Sequence, residues 1–214
     1  MKQRNPFESY NPLDLSNYRP PTPEHLDVKF LLAKPENWEE CKSLRIAALE
    51  SGDAEMVAST PEVVDKEKNK SEEVWRTELS DPDKFTVLSW SGSRAVGLGR
   101  ARKLLEQEFR EGTWYVYNAY TLKEFQGLGM GKRNLAFRLD EIRKRGGKEV
   151  IIDILSINNK MLHIAEEILG FKVASALREK LKRKFPIKGS IVELRLNLQD
   201  PKVIKKISEI LDAR

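Results

Sequence analysis

Short runs of β-branched and aromatic residues alternate along the chain with longer stretches of helical periodicity. Asp27 to Ala33 reads as a first strand, closed by Pro35. A helix follows over about 36–50, with Trp38, Cys41, Leu44 and Ala48 on one face, and Gly52 ends it. The polar stretch from Glu55 to Lys70 carries only scattered apolar residues and yields no assignment, whereas Ser71 to Leu79 has the pattern of a capped helix. Phe85–Trp90 and Arg94–Leu104 predict a hairpin across Ser91-Gly92-Ser93, continued by a strand over Trp114–Tyr120. Leu135, Leu139 and Ile142 then share one face of a helix running from Arg133 to Arg145. Glu149–Leu155 is the next strand, and an amphipathic helix runs from Asn159 to Leu169-Gly170-Phe171. Phe171–Leu177 and Ile191–Leu198 supply two final strands, and Pro201–Leu211 a last amphipathic helix. No segment repeats.

The ends differ from this middle. Pro6, Pro12, Pro20, Pro21 and Pro23 keep both helix and sheet out of residues 1–26, so these form an extended arm. The arm is either loose or pinned by Phe7, Tyr10, Leu13, Leu15 and Tyr18 across the domain or onto a second copy, so a homodimer is one option. Residues 27–198 form one domain, since no Gly/Ser linker interrupts them, and residues 199–214 carry the terminal helix, docked on the domain or a partner.

Composition narrows the class. No apolar run approaches the roughly 18 residues of a membrane span, and the first residues lack a signal-peptide core, so a cytoplasmic protein without membrane contact is expected. Cys41 is the only cysteine, which rules out an intramolecular disulfide and fits a small helix residue. A net charge of +5 favours an anionic ligand or partner. Residues 178–189 concentrate that charge, with six basic side chains and one acid. They read either as a solvated loop or as a surface for an acidic partner, RNA or acceptor substrate.

The chemistry is announced at Gln126-Gly127-Leu128-Gly129-Met130-Gly131-Lys132, between a strand and a helix. Glycines at alternate positions let a backbone approach a ligand and turn successive N–H groups toward one spot, where a helix N-terminus adds roughly half a positive charge. A P-loop would need Gly at Gln126 and Ser or Thr at Arg133, and a dinucleotide fingerprint would need Gly at Lys132, so both readings fail. A plain tight turn remains the alternative.

The spacing Gln126, Gly129, Gly131 resembles the pyrophosphate loop of the GNAT superfamily of acyl-CoA-dependent N-acyltransferases. Asn159 followed by a helix and Gly170-Phe171 resembles the next motif of that family, and Arg45–Glu50 with Trp75–Leu79 resembles two early helices of one acetyltransferase branch. The resemblance spans about residues 27–198. It implies an α/β (α+β) fold with a central mixed, mostly antiparallel twisted sheet of about seven strands flanked by helices. It implies acetyl-CoA as co-substrate, no metal, and a primary amine as acceptor, either a protein N-terminus or a small molecule. Residues Gln126, Gly127, Leu128, Gly129, Met130, Gly131 and Lys132 would hold the diphosphate, mostly through backbone N–H groups, with Lys132 and Arg133 near outlying phosphates. Thr121 and Leu122 would pair with the pantetheine arm as an added strand does, one of them stabilising the oxyanion. Asn159 would touch the same arm, with an N-cap role equally open.

Two departures from the family pattern bear on mechanism. Glu166 stands where many relatives carry a Tyr that protonates the departing thiolate, and no carboxylate lies between Thr113 and Tyr120, where relatives often place a general base. Expelling a thiol of pKa about 8.5 near pH 7 asks only about 2 kcal/mol of help, while deprotonating a lysine-like amine costs about 4.6 kcal/mol and an α-amine about 1.4 kcal/mol. A site without a strong base therefore suits an α-amine, and positioning supplies much of the rate. Tyr117, Asn118, Tyr120 and Glu166 are the candidate catalytic residues, with Asp153 a further candidate for relaying the amine proton. His163 falls among Glu166 and Glu167 on the polar side of its helix and is expected to be exposed. A catalytically silent acyl-CoA-binding regulatory domain and a basic RNA-binding module are the alternatives.

Overall fold

The computed structural model describes residues 27–51, 61–107, 109–174 and 191–213. The N-terminal arm, Gly52, the basic stretch 178–189 and the end of the strand expected over Phe171–Leu177 lie outside them. The elements are β1 (Val28–Leu32), α1 (Trp38–Glu50), α2 (Pro61–Asn69), α3 (Glu72–Ser80), β2 (Lys84–Ser91), β3 (Arg94–Lys103), β4 (Thr113–Thr121), α4 (Met130–Lys144), β5 (Glu149–Leu155), α5 (Asn159–His163), β6 (Lys172–Val173), β7 (Ile191–Asn197) and α6 (Pro201–Asp212). A π-helical turn, Ile164–Leu169, continues α5.

Seven strands form one sheet in the order β1-β2-β3-β4-β5-β7-β6. Every neighbouring pair is antiparallel except β4 and β5, which are joined by α4 as the crossover helix that a parallel pair requires. The fold is thus the mixed, mostly antiparallel sheet that the resemblance implied.

One face carries α4. Its buried stripe, Leu135, Ala136, Leu139 and Ile142, lies on the sheet, and Phe137 meets Phe30 with ring centroids 6.2 Å apart. The opposite face carries α1 and α3, where Trp75 is among the largest fully buried side chains. Ser71 caps α3 by accepting from the Val74 N–H at 3.4 Å. Asp200 likewise caps α6, and α6 buries Val203, Ile207 and Ile210, packing against α4 and the π turn.

The structure departs from expectation in several places. The unassigned stretch contains α2, whose Val63 and Val64 are half-buried; nine residues with one apolar pair are too few for periodicity to show. The helix expected to begin at Arg133 begins at Met130, because Gly131 occupies its first turn. Asn158, not Asn159, caps α5, accepting from the Met161 N–H at 3.2 Å.

Two polar residues interrupt the apolar stripe of α4. Asn134 donates to the Ser89 hydroxyl at 3.0 Å, and Arg138 donates to the Arg100 carbonyl at 3.1 Å. Gly99 makes room for them: a Cβ there would lie 2.4 Å from Asn134 Oδ1 and 2.7 Å from Arg138 Nε. Complete burial brings the Arg138 pKa down to about 10.

Candidate functional site

The β4–β5 ladder runs only from Thr113/Glu149 to Val116/Ile152, while β5 continues against β7 as far as Leu155. The two parallel strands diverge beyond Val116. At the divergence β4 carries a bulge: register passes from Arg100/Tyr117 to Leu98/Tyr120, so Gly99 faces both Asn118 and Ala119. Asn118 has φ +49°, the only positive value at a non-glycine among the described residues, and Asn tolerates that region better than most.

The bulge sorts side chains and backbone groups together. Directly opposed residues of a ladder share a face, so Tyr115, Tyr117 and Tyr120 all lie with Arg102, Arg100 and Leu98 on the α1/α3 side. Without the extra residue Tyr120 would point to α4. Tyr115 and Tyr117 stack with centroids 5.7 Å apart, and Tyr115 donates to Asp153 Oδ2 on β5 at 3.2 Å, bridging the strands where they part.

The edge groups follow the same count. The Leu122 N–H donates to the Val96 carbonyl at 2.9 Å, and the Leu122 carbonyl accepts from the Phe125 N–H at 2.8 Å. Leu122 is therefore engaged within the chain and drops out as an oxyanion donor. Alternation instead turns the N–H groups of Thr121 and Ala119 to the edge that β5 has left. Ala119 was not singled out from sequence, because nothing in an alanine side chain signals a backbone role.

The glycine loop follows at the mouth of this divergence. A 3₁₀ turn, Lys123–Phe125, buries Phe125 completely, and Met130 is also buried, so apolar anchors pin the loop at both ends. Gln126 is a brace: its backbone N–H donates to the Lys123 carbonyl at 3.2 Å and its side chain to the Thr121 carbonyl at 3.0 Å. Its backbone N–H is thus occupied, contrary to the expectation that it faces a diphosphate. Gly127 and Gly129 sit at φ +82° and +76°, and Gly129 is the N-cap of α4. No side chain caps that helix, and no acid lies in its first turn. Helix geometry leaves the N–H groups of Met130, Gly131 and Lys132 without intrahelical acceptors. A Cβ built at Gly127, Gly129 or Gly131 would meet nothing within 4 Å, so protein packing does not explain these glycines. Leu128 and Lys132 are half-buried beside them. Arg133 lies with its guanidinium 5.2 Å from the Phe30 ring centroid, on the β1 side of the helix start.

Across the cleft, Asn159 is exposed at the first position of α5, Glu166 is half-buried in the π turn, and His163 is exposed as expected.

The α1/α3 side of β4 holds a cluster of charge. Arg100 donates to Glu78 at 3.0 Å and lies 5.7 Å from both the Trp75 and Tyr117 ring centroids. Lys70 bridges Glu67 and Glu78, each at 3.0 Å. Burial works to raise the Glu78 pKa, but hydrogen bonds from Arg100 and Lys70 outweigh it and hold the carboxyl below the ordinary glutamate value. A depressed folded pKa contributes stability that is complete above the unfolded value of 4.5 and is lost as pH falls through the folded one. Urea unfolding between about pH 3 and 6 should show that the deficit of Glu78→Gln relative to wild type shrinks as pH falls; a constant gap would exclude this linkage. Cys41 is buried beside the cluster, and burial pushes its thiol up to about 12.

Comparison with known proteins places this architecture. The profile of the Acetyltransferase (GNAT) family matches residues 46–171, more than half of the chain. The chain belongs to the GNAT acetyltransferase family. Solved GNAT structures share its fold at low identity. The PaiA N-acetyltransferase of Thermoplasma acidophilum in complex with coenzyme A superposes with a TM-score of 0.60 at 15% identity, over 80% of this chain and 99% of that one. A spermidine N-acetyltransferase of Vibrio cholerae in complex with CoA and spermine gives 0.59 at 13%, covering 80% and 96%. The ribosomal-protein-S18-alanine N-acetyltransferase of Escherichia coli gives 0.56 at 14%, covering 80% and 94%. No curated protein matches the sequence. At such identities the likeness establishes the fold, and the GNAT assignment rests on the family match.

Proposed function

We propose that the protein is an N-acetyltransferase that moves an acetyl group from acetyl-CoA to a primary amine by direct transfer in a ternary complex. The observation that carries this reading is the uncapped start of α4, where glycines with open space over their Cα atoms surround unengaged helix N–H groups at the mouth of the β4–β5 divergence. A diphosphate fits that start by charge and by hydrogen bonding. Lys132 supplies a cation next to it, and Arg133 a second one toward β1. The edge of β4 at Thr121 and Ala119 would receive the extended pantetheine arm as an added strand. Bound coenzyme A in a relative is consistent with this placement.

With the arm so aligned, the thioester carbonyl reaches the bulge. The amine nitrogen attacks its carbon, the developing oxyanion accepts from the Ala119 N–H, and the C–S bond breaks with its electron pair leaving on sulfur. The amine proton is relayed through water and the hydroxyls of Tyr117 and Tyr120, which share the acceptor face, to bulk solvent, while Asn118 shapes the turn between them. The thiolate, a modest base, is protonated from solvent, and Glu166 across the cleft would serve as its proton source only in a complex where burial keeps the carboxyl protonated. A covalent acetyl-cysteine route has no support, since Cys41 is buried and its thiol is held far from ionisation.

Initial-rate measurements of thiol release with a panel of amines test the proposal. Intersecting double-reciprocal lines are expected. Parallel lines with an acetylated enzyme would exclude direct transfer, and acetyl-CoA that neither binds nor releases thiol with any amine would exclude the enzyme.

A further inference from the structure

One buried cation beside α1, α2 and α3 has no hydrogen-bonded counter-ion among the described residues. Arg45 lies in α1 on the side that packs against β3 and β4 and is only 7% exposed. The nearby acids are committed elsewhere: Glu67 accepts from Lys70, and Glu78 accepts from Lys70 and Arg100. Arg45 makes no hydrogen bond or ion pair among the described residues, and its Nε is shut away from solvent without an acceptor. Tyr117, Arg100 and Glu67 lie within its electrostatic reach. Burial lowers its pKa, but a guanidinium stays protonated at neutral pH, and its fork of N–H donors then stands largely buried without a hydrogen-bond acceptor among the described residues. A buried, unpaired charge is unfavourable in an isolated fold, so its presence calls for a ligand that completes it.

The location says which ligand. Arg45 lies on the sheet face that α1 covers, within electrostatic reach of Tyr117 and Arg100, and Tyr117 immediately precedes the bulge where, on the acetyltransferase reading, the thioester carbonyl sits. A strand residue advances roughly 3.3 Å, so an anion beside Tyr117 and an amine at Asn118–Ala119 belong to one small molecule or one terminal residue. We propose that Arg45 recognises a carboxylate of the acceptor, so that the preferred acceptors are amines bearing a carboxylate a few bonds away, such as free amino acids, rather than polycations. The fork geometry of the guanidinium matches a carboxylate in a bidentate pair. This deepens the acetyltransferase assignment and rests on it.

The test compares amino acids with their matched carboxamides and with spermidine, using the full chain and saturating acetyl-CoA. Wild type should acetylate the carboxylates with kcat/KM at least tenfold above the carboxamides and spermidine. Arg45→Met should remove the preference by raising KM for the carboxylates alone, leaving carboxamide kinetics and acetyl-CoA affinity unchanged, and Arg45→Lys should restore part of it. Equal or better use of carboxamides or spermidine by wild type would overturn the proposal, whether or not the variants fold. So would an Arg45→Met defect shared by every acceptor. If no amine is turned over, calorimetric titration of the protein–coenzyme A complex with the amino acids decides: binding that is lost in Arg45→Met and partly kept in Arg45→Lys supports the site, and no binding by wild type refutes it. Failure of acetyl-CoA itself to bind would instead refute the assignment of the preceding subsection.

Discussion

Gly131→Trp will abolish acetyl-CoA binding and leave the fold intact. Gly131 has an ordinary helical φ, and its Cα opens onto space in which a Cβ meets nothing within 4 Å, so a side chain there displaces only a ligand. Diphosphate held by two or three helix N–H groups through charge-assisted bonds of about 1.5–3 kcal/mol each would be lost, which lowers affinity by more than about a hundredfold. Thermal unfolding should shift by less than about 1 kcal/mol equivalent, as for an exposed site. Gly129→Trp is the informative contrast. It also loses binding, but its φ of +76° adds backbone strain of about 1–3 kcal/mol, so its melting temperature should fall as well. Calorimetric titration and scanning calorimetry on both variants read the two effects apart. Undiminished binding by Gly131→Trp would remove the loop from the site.

Phe125→Ala carries the second large effect, on stability first and on binding through it. The ring is completely buried in the 3₁₀ turn between β4 and the glycine loop. Truncating a buried Phe costs about 3–5 kcal/mol, which for a chain of this length lowers the melting temperature by roughly 10 °C. The turn also supplies the Lys123 carbonyl that holds the Gln126 N–H, and Gln126 in turn holds Thr121. Loosening Phe125 should therefore weaken acetyl-CoA binding although the residue touches no ligand. A variant that melts like wild type would show that the pocket collapses around the smaller side chain, and one that melts lower but binds normally would show that Met130 alone anchors the loop.

The contrast between loop and bulge explains what the sequence disclosed. The glycine loop was legible because Gly127, Gly129 and Gly131 have a local reason to be glycine, a left-handed φ or an open Cα, and a local reason leaves a local pattern. Most strands and helices were legible for the same reason, since Leu135, Leu139 and Ile142 repeat at the helical period whatever they pack against. The bulge at Asn118 was not legible. Its cause is spread over Gly99 on β3 and over Asn134 and Arg138 on α4, and only the folded register brings them together. That register also moved the edge N–H from Leu122 to Ala119 and set Tyr120 beside Tyr117. The Asn158-Asn159 pair shows a smaller limit: either side chain can cap a helix, so sequence cannot choose the start within one residue. Arg45 read as one more helix residue, because the lack of a hydrogen-bond partner among the described residues is a property of the assembled interior and of no single segment.

Cys41 has a practical side. It is the only cysteine in the whole chain, it is buried, and burial pushes its thiol up to about 12, so little of it is thiolate at pH 8. The native polypeptide is thus nearly transparent to chromogenic sulfhydryl reagents. If the proposed acetyl transfer takes place, colour that develops with acetyl-CoA and an amine comes from the discharged carrier, so acceptors can be ranked continuously in a plate reader without masking the protein first.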